Sequence, residues 1–164
     1  MTKTKPTSNI VVGLDLAEKM GLCVMDGATK QILFSSTVKL SKASENDRLI
    51  HLYRLLNKVI EKFSPDEVAI EDVFLPAKTS RRTPIALGEL RGVARLCAAE
   101  HDLPVFFYPP RKVKLAITGY GNASKEDIIK FVKGEFNVSV KDDNEADAIS
   151  IAWTHIITQQ FERA

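Results

Sequence analysis

Cysteine is scarce: two in 164 residues, Cys23 and Cys97, neither in a CxxC spacing nor beside a histidine at metal-ligand distance. That argues against a disulfide scaffold and a thiolate metal site. Both are expected as reduced core residues of a cytosolic chain. Long apolar runs are missing too. None approaches the roughly 20 residues that cross a bilayer, so no membrane partner is expected. A large excess of one charge is also absent, because 23 Lys and Arg face 21 Asp and Glu, leaving +2. That balance neither demands nor excludes nucleic acid, and the placement of the charges must decide. There is no Walker A sequence and no dinucleotide-binding glycine fingerprint. No Ser-His-Asp or Cys-His arrangement is evident. His51, His101 and His155 are not catalytic candidates by spacing, and His155 reads as a packed helix histidine.

What is present is an ordinary globular composition, 45% hydrophobic and 27% charged. It fits one domain over residues 1–164, with 1–8 a short flexible lead-in. "IVVGL" (10–14) is a short apolar run that ends at Asp15 and reads as a central strand. "GLCVMDG" (21–27) and "QILFSSTVKL" (31–40), joined by a Gly-containing turn, read as an antiparallel hairpin. Residues 44–63 are helical, with Leu49, Leu52, Leu56, Val59, Ile60 and Phe63 at threes and fours. The strand "EVAIEDVF" (67–74) follows, and a strand–helix–strand crossover implies parallel pairing. Residues 75–83 read as a basic loop and 84–100 as a second helix, on which Gly88 and Gly92 serve either packing onto the sheet or a subunit contact. "LPVFFY" (103–108) is a fifth strand, "PPRKVK" and 117–123 are connecting chain, Ser124 caps a helix, and a last helix follows. The expected fold is α/β, a mixed five-stranded sheet flanked by helices. Its order fits the ribonuclease H-like architecture.

Asp15 and Glu71 end two strands that should lie side by side in parallel. Ligand sites of open α/β sheets favour the carboxyl ends of strands. Two acids there repel, and a divalent cation resolves the repulsion; hard oxygen ligands suit Mg²⁺ or Mn²⁺. The last helix adds Asp142, Asp143, Glu145 and Asp147 near its start. Asp142 and Glu145 are expected only to complement the positive helix end. Asp147 directly precedes the apolar face and is expected to point inward. Carboxylates from two strands and a helix fit two-metal phosphodiester hydrolysis without a covalent nucleophile. Asp72 is expected to point away into solvent. Lys78, Arg81 and Arg82 in the loop after Glu71, Arg111, Lys112 and Lys114 after the fifth strand, and Lys125 are candidate phosphate contacts.

From residue 10 to about 156, these segments resemble the RuvC family of Holliday junction resolvases. "GLD", "AIEDVF", "ALGELRGVARLCAA", "LPVFFYPPRKVK" and "ADAISIAWTH" stand in family order. The resemblance implies a homodimeric, metal-dependent endonuclease, with paired nicks across four-way and other branched DNA in recombination and repair. It implies Asp15, Glu71 and Asp147 as catalytic metal ligands, with two ions per site. Lys114 and Lys125 match DNA contacts, Phe74 matches an aromatic that disturbs base stacking, and the Gly88/Gly92 helix matches a dimer region. Two departures stand out. Leu16 and Ala17 replace the usual Pro-Gly after the first Asp. Asn144 aligns with a fourth catalytic ligand that is usually Asp, sometimes His. It is a natural weaker ligand, or Asp143 takes its place, or it is a deliberate change that blocks cleavage. An RNA-processing ribonuclease H-like nuclease and a catalytically impaired junction-binding protein are the alternatives. The sequence carries no signal for or against branch-migration partners.

Overall fold

The computed structural model describes residues 9–40, 44–72 and 82–164. Five strands form one mixed sheet in the order β3-β2-β1-β4-β5. β1 (Ile10–Asp15), β2 (Lys19–Asp26) and β3 (Gln31–Lys39) make an antiparallel meander. β4 (Glu67–Glu71) pairs parallel to β1, and β5 (Val105–Tyr108) pairs parallel to β4. The expected meander and parallel crossover are both present.

Strand periodicity splits the core into two layers. Val12, Leu14, Leu22, Val24, Val68 and Ile70 face α1 (Glu45–Phe63) and α2 (Arg82–Glu100). Val11, Cys23, Met25, Ala69 and Tyr108 face α3 (Pro110–Thr118), α4 (Lys125–Phe136) and α5 (Asp143–Arg163). Each fully buried aliphatic side chain contributes about 1.5–3 kcal/mol. Both cysteines are free and buried, as expected. Among the described residues no helix is long and apolar enough to cross a membrane.

Capping fixes the helix starts. The Ser44 hydroxyl accepts from the Asp47 amide, and Ser124 and Asp127 form a reciprocal capping box. Asp142 caps α5 by accepting from the Glu145 amide, and its carboxylate also accepts from the Thr37 hydroxyl.

Three expectations are corrected. "PPRKVK" and the residues after it are not a connection but α3. Pro110 occupies its first turn, Val113 and Ile117 are buried four apart, and Gly119 in the left-handed conformation ends it. Arg82 and Thr83, expected in the basic loop, belong to α2, which begins at Arg82 rather than at residue 84. Gly88 and Gly92 do not pack onto the sheet, since a Cβ on either would meet nothing within 4 Å.

Candidate metal and nucleic-acid site

The acids are brought together by strand parity and two glycines. Asp15 follows Val11 and Gly13 on the face turned to α5. Glu71 follows Glu67 and Ala69 on the same face of β4. The parallel register, Leu14 opposite Ile70, carries Asp15 and Glu71 to adjoining strand ends. α5 then lies almost directly on the sheet. A Cβ on Gly13 would stand 2.5 Å from the Ala148 carbonyl oxygen, and one on Gly21, 1.9 Å from that of Asn144. Only glycine permits so close an approach. Gly21 is also the register partner of Asp15. The first turns of α5, with Asp143, Asn144 and Asp147, are thereby set over the end of β1. A lone glycine inside an apolar strand is the sequence signal for such an approach, and at Gly13 and Gly21 it went unread.

The electrostatics report how close the acids are. Burial and the charge of Asp143 raise Asp15 from the ordinary 3.8 to about 6. Burial, then Asp15 and Asp147, raise Glu71 from 4.5 to about 7. Burial, then Asp15 and Asp143, raise Asp147 from 3.8 to about 7. Lys114 works against the rise at Glu71 and Asp147, and Lys125 at Asp15 and Asp147. Lys125 Nζ lies 2.6 Å from Asp143 Oδ2.

This is a hard-oxygen donor set short of positive charge, which fits a divalent cation chemically. Among the described residues, no three Asp, Glu, His or Cys side chains are gathered tightly enough to form a finished cage.

Among the described residues, a small cavity of about 140 Å³ lies beside Glu71, lined by Leu16, Ile70, Pro84, Leu87, Gly88 and Arg91. Larger hollows lie elsewhere. One of about 430 Å³ is at the far end of α5, and one of about 560 Å³ is between α3 and α4. Enclosure is what small ligands need; the acids stand at the carboxyl ends of β1 and β4 and the start of α5.

Other expected residues fall as follows. Phe74, Lys78 and Arg81 lie outside the described residues. Arg82 is the exposed first residue of α2. Arg111, Lys112 and Lys114 are on helix α3 rather than on a loop, with Lys112 Nζ 5.1 Å from the Tyr108 ring centroid. Lys125 is the first residue of α4. Asp142 is the α5 cap, as expected. Glu145 does more than complement the helix end: it is buried, accepting from Ser35 Oγ at 2.6 Å and the Lys141 amide at 2.9 Å. Asp72 is not simply solvated. Arg91 Nη1 donates to it at 2.6 Å, and the guanidinium lies 3.7 Å from the Phe107 ring centroid. His155 is a packed helix histidine, as expected.

The family profile described as crossover junction endodeoxyribonuclease RuvC matches residues 11–155. The chain belongs to the RuvC family. A relative of that description from Thermotoga petrophila is 37% identical over 147 residues, covering 88% of each chain. One from Thermotoga maritima is 38% identical over 147 residues, covering 88% of this chain and 86% of its own. Among solved structures, T. thermophilus RuvC in complex with Holliday junction substrate superposes with a TM-score of 0.85 at 27% identity. It covers 94% of this chain and 96% of its own. The five-stranded mixed sheet is thus the RuvC, ribonuclease H-like fold. The RuvC family are hydrolytic, divalent-metal-dependent nucleases.

Proposed function

We propose that this chain resolves Holliday junctions, cutting four-way and related branched DNA by paired nicks during recombination and repair in the cytoplasm. A single RuvC-like domain over residues 1–164 carries the activity. The observation that carries the proposal is the set Asp15, Glu71 and Asp147. They stand together at the ends of β1 and β4 and the start of α5, each pushed toward neutrality by burial and by its neighbours. Such a set is stable in its ionised form only with a cation.

Asp15, Glu71 and Asp147 would hold Mg²⁺, or Mn²⁺, as two ions per site, with Asn144 or Asp143 as a further ligand. Bound divalent ions supply charge neutralisation at the attacked phosphate and activation of the attacking water. The chain's own residues do the rest. Lys114 and Lys125 bring positive charge to the acid edge, where a DNA phosphate must enter. Arg111 and Lys112 extend that charge along α3, and Arg82 along the start of α2. With Lys78 and Arg81 they position the backbone. Phe74 would stack on a base at the crossover.

Paired nicks need two sites, hence a homodimer. The open face of α2 suits the contact: Ile85 and Leu96 are 62% and 57% exposed, and Gly88 and Gly92 between them let a second helix come close.

The test is a Mg²⁺ cleavage assay offering a four-way junction, a flap, plain duplex and a structured RNA. Paired nicks in the junction that are lost in Asp147→Ala support the proposal. Preference for the RNA, or none for branched DNA, overturns it. Junction binding without cutting points to Asn144, and Asn144→Asp should then restore cleavage.

A further inference from the structure

Lys125 has an odd position. As the first residue of α4 it puts a cation at the positive end of a helix, where the macrodipole disfavours it. A carboxylate holds it there, Asp143 Oδ2 at 2.6 Å. Their side chains are 73% and 34% exposed, so water and incoming ions reach the pair. Exposed pairs of this kind are weak and exchange partners readily. A phosphate is the better partner in that place: it accepts from Lys125 and suits the α4 N-terminus behind it.

Asp143 matters at the other end. It is one of the charges that act on both Asp15 and Asp147. Next to it, Asn144 offers only a neutral oxygen, and its backbone is committed to close packing over Gly21. A carboxylate that already reaches the site electrostatically is therefore held back by a lysine that DNA can take away.

We propose that Lys125 and Asp143 form an exchangeable pair that couples DNA binding to metal binding. A DNA phosphate takes Lys125, and Asp143, released, serves as the fourth anionic ligand in place of Asn144. The proposal rests on the metal-site reading above. Coupling is reciprocal, so the junction strengthens metal binding and metal strengthens junction binding by the same factor.

The experiment is calorimetric titration of the full chain with Ca²⁺, alone and with a four-way junction, the junction-only heat subtracted. Without DNA, Lys125→Met should bind Ca²⁺ roughly three- to tenfold more tightly, and Asp143→Asn roughly tenfold more weakly. In the Asp143→Asn background the gain from Lys125→Met should shrink to less than about twofold, the part left by losing a charge near Asp15 and Asp147, which separates ligand release from the mere loss of a nearby charge. The junction should tighten Ca²⁺ binding in the wild type and not in Lys125→Met. A Lys125→Met effect as large without Asp143 as with it, or an Asp143→Asn variant that binds like the wild type, overturns the pair. If Asp147→Asn abolishes binding while both of those variants are silent, the pair alone falls. Absence of Ca²⁺ binding by the wild type removes the metal site and the pair with it.

Discussion

Glu67 and Glu71 open and close one strand, and by parity both face α5, yet they are treated in opposite ways. Glu67 is 7% exposed and fully partnered. His155 Nε2 donates to Oε2 at 2.7 Å, Asn9 Nδ2 to the same oxygen at 3.2 Å, and Arg163 Nη2 to Oε1 at 3.0 Å. Burial pushes its pKa up, but these partners outweigh burial and hold it below the ordinary value. Burial also keeps His155 below its own ordinary value, so the imidazole is neutral. Its Nδ1 then accepts from the Tyr108 hydroxyl at 2.6 Å, a phenol that burial pushes up to about 12. Glu71, four residues on, is pushed up to about 7 by burial first and then by Asp15 and Asp147. A buried acid supplied with donors holds a fold together. One supplied with other acids weakens the fold and stores a demand for positive charge. That difference in partners, added to burial, separates structural from functional carboxylates on this sheet.

The largest expected effect comes from removing the demand. Glu71→Gln keeps the shape and should lower junction cleavage by roughly a thousandfold while leaving far-ultraviolet circular dichroism unchanged. Next, breaking the satisfied end should cost stability. His155→Ala leaves Glu67 and Tyr108 short of a partner and should lower the unfolding free energy by about 3 kcal/mol in denaturant titration. Gly21→Ala lies between the two classes. Its methyl would overlap the Asn144 carbonyl, so α5 must move off β2. A loss of about 2 kcal/mol is expected, together with weakened metal binding, because Asp147 moves with the helix.

The smallest effect is in pH. Asp15, Glu71 and Asp147 carry raised values of about 6, about 7 and about 7. The native chain therefore binds more protons than the unfolded chain between the ordinary carboxylate range and those values. Their contribution to stability is fullest below the ordinary range and is lost as pH rises through the raised values. Glu67 works in the other direction: it stabilises above the ordinary range, and that is lost as pH falls through its lowered value. Metal-free Glu71→Gln should accordingly be more stable than the wild type by about 1 kcal/mol near pH 8, with the gain gone near pH 4, as thermal melts would record.

Much of this was legible in the sequence because it depends on local period and order. The short apolar runs of β1 and β4, the threes and fours of α1 and the strand–helix–strand crossover were enough to put Asp15 and Glu71 at one edge. α3 was not legible, because two prolines and three basic residues read as a connection and only Val113 and Ile117 carry its apolar period. The seats for α5 at Gly13 and Gly21 are a tertiary matter: a missing side chain shows its purpose only when the opposing backbone is known. The partners of Glu67 come from positions 9, 155 and 163, and no spacing along the chain announces them.

The most direct measurement is Mn²⁺ binding to the metal-free wild type, Glu71→Gln and Glu67→Gln, read from the paramagnetic resonance of free Mn²⁺. Glu71→Gln should lose most of its affinity, while Glu67→Gln should bind nearly as the wild type does and unfold more easily. Undiminished binding by Glu71→Gln would contradict a metal site at the ends of β1 and β4.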